Sequence, residues 1–147
     1  MVMHVVNAFQ KAGLSVSLVV RDTSLENLGL PLLLESVTDS RYPLRGVLAG
    51  LESLKTGESA IFCPCDLPFL SAQSVATMAG SPVFSVAFDG ERVHPLLAHF
   101  SSDAQEALRG HIADQSSAMS FVAEAHRVVL PRSELRNINR PEDLVLV

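Results

Sequence analysis

The stretch IFCPCDLPFL, residues 61–70, carries the pattern that decides the fold. A short apolar run passes two cysteines and a proline, and then ends in a single carboxylate, Asp66, ahead of a Leu-Pro turn. A short uncharged run of this kind is typical of a strand buried inside an α/β sheet. Because ligands of open α/β sheets bind beyond the carboxyl ends of the strands, Asp66 is the first candidate for a site residue.

Strand and helix patterns alternate outward from this stretch. Apolar and β-branched runs predict strands, over residues 14–20, 30–35, 59–65, 82–88, 93–100 and 127–130. Apolar residues at helical spacing predict helices, over residues 2–13, 47–54, 71–80, 104–112 and 119–125, and Pro141 opens a terminal helix. The alternation indicates an α/β fold in three layers, with a mostly parallel sheet covered on both faces. We expect one domain spanning residues 1–147.

The composition sets limits on the class of protein. The 147 residues are 48% hydrophobic, which is enough for one buried core, and no apolar run is long enough to span a bilayer. The chain carries 11 basic and 16 acidic residues without a basic cluster, so binding to nucleic acid is not expected. The first residues lack the pattern of a secretory signal, and we therefore expect a cytoplasmic protein that does not contact a membrane.

Two cysteines and five histidines bear on redox and metal chemistry. Cys63 and Cys65 are separated by one residue, so on a strand they point the same way and do not form a disulfide. We expect both thiols to be reduced. The histidines are scattered through the chain rather than set at ligand spacing, which argues against a structural zinc site.

Asp66 has the chemistry of a ligand for a metal ion that acts on phosphate. A buried strand would bring its two carboxylate oxygens to a rigid rim of the sheet, where they can hold Mg²⁺ against a phosphate group. Pro64 and Pro68 stiffen the chain on either side of it. The alternative is that Asp66 only caps the loop that leads into the next helix.

A second stretch, DSRYPLRGVLAGL over residues 39–51, combines the carboxylate of Asp39 with basic and aromatic side chains and two glycines. Gly46, at the predicted entry of a helix, would let a substrate approach the backbone, and the helix N-terminus offers unpaired N–H groups to an anion. Gly50 has an alternative explanation, which is close packing of the helix against a neighbour.

His94 and two asparagines are further candidates. His94 precedes Pro95 in the stretch DGERVHPLLA and has no evident partner nearby in the sequence, so a structural histidine is the alternative to a functional one. Asn137 and Asn139 alternate in the stretch NINRPEDL, so in an extended chain both amides face the same side. They can form turns or bind a polar ring.

Together, these four stretches resemble the molybdenum cofactor guanylyltransferase family, of the MobA type. The matching segments DSRYPLRGVLAGL, CPCDLPF, DGERVHPLLA and NINRPEDL occur in the family's order over nearly the whole chain. The resemblance implies a Rossmann-like nucleotidyltransferase fold. It also implies transfer of GMP from GTP to molybdopterin carrying molybdenum, with release of pyrophosphate and a requirement for Mg²⁺.

The resemblance further implies roles for individual residues. Asp66 matches the family's metal-binding aspartate and is the implied catalytic residue. The residues implied at the nucleotide are Arg21, Asp39 and, through its metal ion, Asp66. The residues implied at the molybdopterin site are Asn137, Asn139, Gly46 and His94.

Two departures from the family pattern leave alternatives open. Family members begin with a strand and a glycine-rich loop of the kind LAGG…RMG.DK, which cradles the triphosphate, and this sequence lacks such a segment. We therefore expect weakened GTP binding and an exposed sheet edge that favours self-association. Arg21 stands where an asparagine often contacts the base, so a cytidylyltransferase that uses CTP is one alternative. A non-catalytic module that binds molybdopterin without GTP is the other.

Overall fold

The computed structural model describes residues 2–35 and 42–138, along which five α-helices and six strands follow one another. The helices are α1 (Val2–Lys11), α2 (Pro43–Glu52), α3 (Ala72–Ala79), α4 (Gln105–Ala113) and α5 (Ala118–Phe121). The strands are β1 (Leu18–Val20), β2 (Leu32–Leu34), β3 (Ser59–Phe62), β4 (Ser85–Phe88), β5 (Val93–Ser101) and β6 (His126–Val129). Each corresponds to an element predicted from the sequence, with shifted ends.

The strands form two sheets. β1 and β2 pair in parallel, with Leu18 opposite Leu32. The larger sheet has the order β3-β5-β4-β6, in which β5 runs antiparallel to both neighbours and β6 runs parallel to β4. β3, β4 and β6 therefore point in one direction, and β5 returns beside β4 after the turn that joins them. Among the described residues, four strands pair with one neighbour only: β1, β2, β3 and β6.

Helices cover both faces of the larger sheet. Adjacent strand residues fall in different cores: Ala87 and Leu97 pack with residues of α1 and α3, whereas Val86 and Ala98 pack with residues of α2, α4 and α5. Because successive side chains of a strand point to opposite faces, this division places a helical layer on each side of the sheet. The predicted three layers are confirmed.

Two predicted boundaries are wrong, namely the start of α2 and the end of β3, and each changes the element in which a residue discussed above lies. α2 begins at Pro43, because proline is favoured in the first turn of a helix, where the N–H group that it lacks would have no partner within the helix. Gly46 therefore lies inside the helix and not at its entry. β3 ends at Phe62, so Cys63 and Cys65 follow the strand, and both are free thiols, as expected.

The structure favours close helix packing as the reason for glycine at position 50, since a Cβ there would collide with the ring of Phe62. The terminal helix predicted after Pro141 lies outside the described residues. No helix in the described part of the chain has the length and apolar character needed to cross a membrane.

Candidate functional site

Three strands end at one edge of the larger sheet. β3, β4 and β6 point the same way, so the segments that follow them, which contain Asp66, Asp89 and Asn137, leave the sheet at the same edge. β5 begins there as well. His94 is the second residue of β5, so it lies near this edge too. This edge matches the position beyond the strand ends that the sequence predicted for Asp66.

The segment after β6 is tied to Asp66 by two hydrogen bonds. The backbone N–H of Ile138 donates to the backbone carbonyl of Asp66 at 2.9 Å, and the side-chain amide of Asn137 donates to Oδ2 of Asp66 at 3.2 Å. Ile138 is buried and anchors the segment, while Asn137 stays exposed. The structure thus brings together Asp66 and Asn137, which are 71 residues apart in the sequence.

The second carboxylate oxygen of Asp66 lacks a partner. Oδ1 is buried and accepts no hydrogen bond from the residues that the structure describes. A buried polar group left unsatisfied costs about 1–3 kcal/mol, and a charged one costs more, unless a donor or cation fills the place. The capping alternative finds no support, because the hydroxyl of Ser71 caps α3 by accepting the N–H of Ser74.

This unsatisfied oxygen fits the way in which Mg²⁺ binds at phosphate-transfer sites. Mg²⁺ keeps several waters and takes one or two protein carboxylates together with substrate phosphates. Within residues 2–35 and 42–138, no three His, Cys, Asp or Glu side chains cluster so as to hold a metal by themselves. An ion at Asp66 would therefore complete its coordination from substrate and water, while the Asn137 amide orients the other oxygen.

His94 has an acidic partner that the sequence analysis missed. Its Nε2 lies 2.9 Å from Oδ2 of Asp89, the first residue of the turn between β4 and β5. Oδ1 of Asp89 accepts the backbone N–H groups of Glu91 and Arg92, at 2.9 and 2.8 Å. The expectation that His94 has no partner nearby in the sequence is wrong, because the turn folds Asp89 back onto the start of β5. An aspartate that opens a tight turn is the signal that could have revealed it.

The Asp89 carboxylate is held in its ionised form. The hydrogen bond with His94 is the largest of the effects that lower the pKa of Asp89 well below its ordinary value, and the N–H groups of Arg92 and Glu91 add to it. The Asp89 side chain is only 2% exposed, against 17% for His94. The buried charge therefore fixes which ring nitrogen of His94 faces inward and sets the orientation of the imidazole.

Arg21 belongs to a second group of residues, at the carboxyl ends of β1 and β2. Its Nε donates to Oε1 of Glu35 at 2.6 Å, and both residues line a cavity of about 300 Å³ together with Tyr42. Gly46 of α2 lies against the same carboxylate. The structure thus places Gly46 beside Arg21, a predicted nucleotide contact, and no hydrogen bond between described residues joins this group to Asp66.

Three residues complete the comparison with the predicted site. Asp39 and Asn139 lie outside the described residues, so their contacts with nucleotide and pterin stay predictions. Glu35 was not a candidate, because an acidic residue after a run of leucines looks like any exposed strand end. Its position beside Arg21 and Gly46 becomes visible only when β1, β2 and α2 are assembled.

Cys63 lies close to Asp66 in the sequence but has the properties of a structural thiol. Burial raises the pKa of Cys63 to about 12, and the charges of Asp66 and Cys65 add to the effect. Its Sγ donates to the carbonyl of Pro64 at 3.2 Å. A thiol with so high a pKa is neutral at physiological pH and a poor nucleophile, so the site has no activated cysteine at this position.

Known proteins resemble this chain over most of its length. The family model described as MobA-like NTP transferase domain matches residues 1–128. The molybdenum cofactor guanylyltransferase of Serratia proteamaculans (strain 568) is 33% identical over 123 residues, which cover 78% of this chain and 62% of that protein. The enzyme of the same name from Haemophilus influenzae (strain 86-028NP) is 27% identical over 96% of this chain and 79% of its own length. The chain thus spans about three-fifths of the Serratia relative.

Solved structures share the fold at low sequence identity. A protein from Aquifex aeolicus has a TM-score of 0.81 at 21% identity, over 95% of this chain and 79% of its own. Molybdopterin-guanine dinucleotide biosynthesis protein A from Archaeoglobus fulgidus has a TM-score of 0.72 at 18% identity, over 99% of this chain and 82% of its own. The 2-C-methyl-D-erythritol 4-phosphate cytidylyltransferase of Thermus thermophilus has a TM-score of 0.64 at 20% identity, over 98% of this chain and 85% of its own. The Rossmann-like nucleotidyltransferase fold expected from the sequence is confirmed.

Proposed function

We propose that this chain, which belongs to the family of MobA-like NTP transferase domains, transfers GMP from GTP to molybdopterin carrying molybdenum and releases pyrophosphate. The observation that carries the proposal is the unsatisfied Oδ1 of Asp66, at the edge where three strands end. The names of the Serratia and Haemophilus relatives support the choice of nucleotide and acceptor.

Mg²⁺ is the cofactor in this proposal, and Asp66 is the residue that would hold it. When bound, the ion would neutralise phosphate oxygens and so stabilise the charge that develops during transfer. The protein's part is to keep the carboxylate in place, and the hydrogen bonds from Asn137 and Ile138 do so on both its side chain and its backbone.

The remaining residues divide between the two substrates. We assign Arg21 and Asp39 to the nucleotide, and Asn137, Asn139, Gly46 and His94 to molybdopterin. His94 is suited to a phosphate or a polar ring because Asp89 orients its imidazole. Gly46 lies beside Arg21 and Glu35, so its assignment is the one that a substitution should test first.

The reaction needs positioning more than covalent chemistry. The terminal phosphate of molybdopterin attacks the α-phosphorus of GTP in line, and the bond from that phosphorus to the pyrophosphate oxygen breaks. Holding both reactants in this geometry replaces a bimolecular encounter and supplies much of the rate. The neutral thiol of Cys63 agrees with a direct transfer that forms no protein intermediate.

The test is GMP transfer to molybdopterin by this chain, with Asp66→Asn as the decisive variant and Asp103→Asn as its matched control. Asparagine keeps the shape of Asp66 but removes the charge that a divalent ion needs, whereas Asp103 is an exposed acid on another edge of the fold. We expect Mg²⁺-dependent transfer in the wild type and the control, and a loss of about 100-fold or more in the Asp66 variant. Transfer that is indifferent to Mg²⁺, or equal in both variants, would refute the proposal.

We place this activity in the cytoplasm, in keeping with two free cysteines in the described part of the chain. Self-association through the sides of β1 and β3 that pair with no other described strand stays a prediction, which light scattering of the purified chain would check.

A further inference from the structure

Asp89 is an acid with an almost fully covered side chain, and the proposed function gives it no part of its own. It opens the turn between β4 and β5. Its backbone N–H donates to the carbonyl of Arg92 at 3.1 Å, and Oδ1 accepts the N–H groups of Glu91 and Arg92. These bonds hold the turn and occupy one carboxylate oxygen, so the turn does not need Oδ2.

Oδ2 of Asp89 is directed at His94 instead, 2.9 Å from Nε2 of the imidazole. Nδ1 of the same ring has no hydrogen-bond partner among the described residues, and it is not one of the buried side-chain atoms that lack a partner, so it is accessible to solvent. His94 lies near the edge of the sheet where the segment containing Asp66 follows β3. An acid needed only for the turn would not have to reach the histidine, so this contact needs a separate explanation.

The Asp89 carboxylate determines which ring nitrogen of His94 carries the proton. An ionised carboxylate only accepts hydrogen bonds, and the pKa of Asp89 lies well below its ordinary value, so the acid is ionised at neutral pH. The nitrogen that faces it, Nε2, must therefore be the protonated one. In the neutral imidazole, Nδ1 then keeps its lone pair and can accept a hydrogen bond from a ligand.

We infer that Asp89 is a positioning residue for the proposed transfer, which keeps the proton of His94 on Nε2 so that Nδ1 accepts a hydrogen bond from an N–H group of the pterin ring. The amino group and ring N–H groups of a pterin are donors, whereas a phosphate at neutral pH is mainly an acceptor and would need a donor at Nδ1. The inference rests on the proposed function, which assigns His94 to molybdopterin. It adds the residue that acts through His94 and the part of the substrate that is recognised.

The hydrogen bonds of the turn make a test with a side chain of the same shape possible. In Asp89→Asn, the N–H groups of Glu91 and Arg92 need the side-chain oxygen, so the amide NH₂ takes the place of Oδ2. An NH₂ group donates, and Nε2 of His94 must then accept from it. The proton of the neutral ring moves to Nδ1, which becomes a donor and repels a pterin N–H. An Asp-to-Asn exchange beside a catalytic histidine imposes the wrong tautomer in the same way.

The first measurement is the tautomer of His94, by NMR of the imidazole nitrogens in isotope-labelled protein at neutral pH. The chain has five histidines, so loss of one signal in His94→Ala identifies the ring. We expect the proton on Nε2 in the wild type and on Nδ1 in Asp89→Asn. This measurement needs neither substrate nor transfer.

The second measurement is the steady-state KM for each substrate. We expect Asp89→Asn to raise the KM for molybdopterin about 10-fold or more, because a hydrogen bond is replaced by two opposed donors, and to change the KM for GTP by less than about twofold. Glu91→Gln is the matched control. It removes an acid from the same turn, and that side chain is 65% exposed and pairs with Arg132 rather than His94.

Two further variants separate positioning of His94 from support of the turn. Serine also opens turns but presents no amide NH₂ to the histidine, so Asp89→Ser leaves the tautomer unspecified. The KM for molybdopterin should therefore rise less in Asp89→Ser than in Asp89→Asn, whereas loss of turn support alone predicts the reverse order. In a His94→Ala background, Asp89→Asn should cause no further rise, because both changes act through the same ring.

An unchanged tautomer in Asp89→Asn would overturn the inference, and so would a wild-type ring protonated on both nitrogens. An equal rise of both KM values, or a further rise in the His94→Ala background, would do the same. A reversed tautomer with an unchanged KM for molybdopterin would refute the positioning role and leave the proposed function standing. Absence of GMP transfer by the wild-type chain would refute the proposed function and, with it, the contact to the pterin ring.

Discussion

The side-chain amide of Asn137 lies 3.2 Å from Oδ2 of Asp66 and donates a hydrogen bond to it. This contact joins the segment after β6 to the segment after β3, and these two strands are the opposite edge strands of the larger sheet. It leaves Oδ1 of the same carboxylate buried and without a partner among the described residues. One oxygen is therefore held by the protein, and the other is the one that our proposal assigns to Mg²⁺.

Replacing Asn137 by alanine should weaken transfer without unfolding the protein. Residues that orient a metal ligand typically change metal affinity or activity by about 10- to 100-fold, so we expect a higher Mg²⁺ requirement and a loss in this range. Asn137 is exposed, and its removal should leave the melting temperature nearly unchanged. Steady-state kinetics at several Mg²⁺ concentrations provide the measurement. Asn7→Ala on α1 is the control, and an equal effect of both variants would show that Asn137 has no special role.

Replacing Asp89 by asparagine should lower stability at neutral pH and much less in acid. The pKa of Asp89 is lower in the folded chain than its ordinary value of 3.8. The ionised carboxylate therefore contributes fully to the free energy of unfolding above pH 3.8, and this contribution is lost as the pH falls through the lower pKa of the folded chain. The difference in free energy of unfolding between wild type and Asp89→Asn should therefore shrink below pH 3.8. Urea titrations across this range, with Asp103→Asn in parallel, would show it. A difference independent of pH would count against the ionised pair.

The two cysteines should react at very different rates with a thiol reagent. A pKa of about 12 leaves roughly one in 10⁴ of the Cys63 thiols ionised at pH 8, because the fraction falls tenfold per pH unit below the pKa. Cys65 is exposed. Mass spectrometry after brief treatment with iodoacetamide should find label on Cys65 and not on Cys63 until the chain is unfolded. Fast labelling of Cys63 in the Cys65→Ser variant would contradict its assignment as a buried structural thiol.

Alanine at two helical glycines should have opposite effects. At Gly50 the new methyl group would collide with the ring of Phe62, and overpacking of this kind costs about 1–3 kcal/mol. At Gly110, within α4, a Cβ meets no atom within 4 Å, so the higher helix propensity of alanine should stabilise the chain by up to about 1 kcal/mol. Denaturant unfolding of both variants gives the comparison. Equal shifts would mean that Phe62 moves aside without cost.

Local patterns in the sequence were enough to predict the elements and the place of Asp66. The apolar run before Asp66 and the helical spacing over residues 71–80 depend on residues within a few positions of each other, and the structure confirms the strand and the helix. The antiparallel return of β5 was predictable for the same reason, because the turn that precedes it is local. Helix periodicity and strand alternation are properties of short segments, so they can be recognised without the rest of the chain.

The partners of the site residues depended on assembly of the sheets. Asn137 reaches Asp66 across 71 residues, and Glu35 reaches Arg21 across 14, because strand order and register bring distant segments to one edge. Even the pair of Asp89 and His94, five residues apart, formed only because the turn reverses the chain. Which oxygen of a carboxylate is satisfied, and which is left open, follows from packing around it, and packing is set by contacts that no short segment contains.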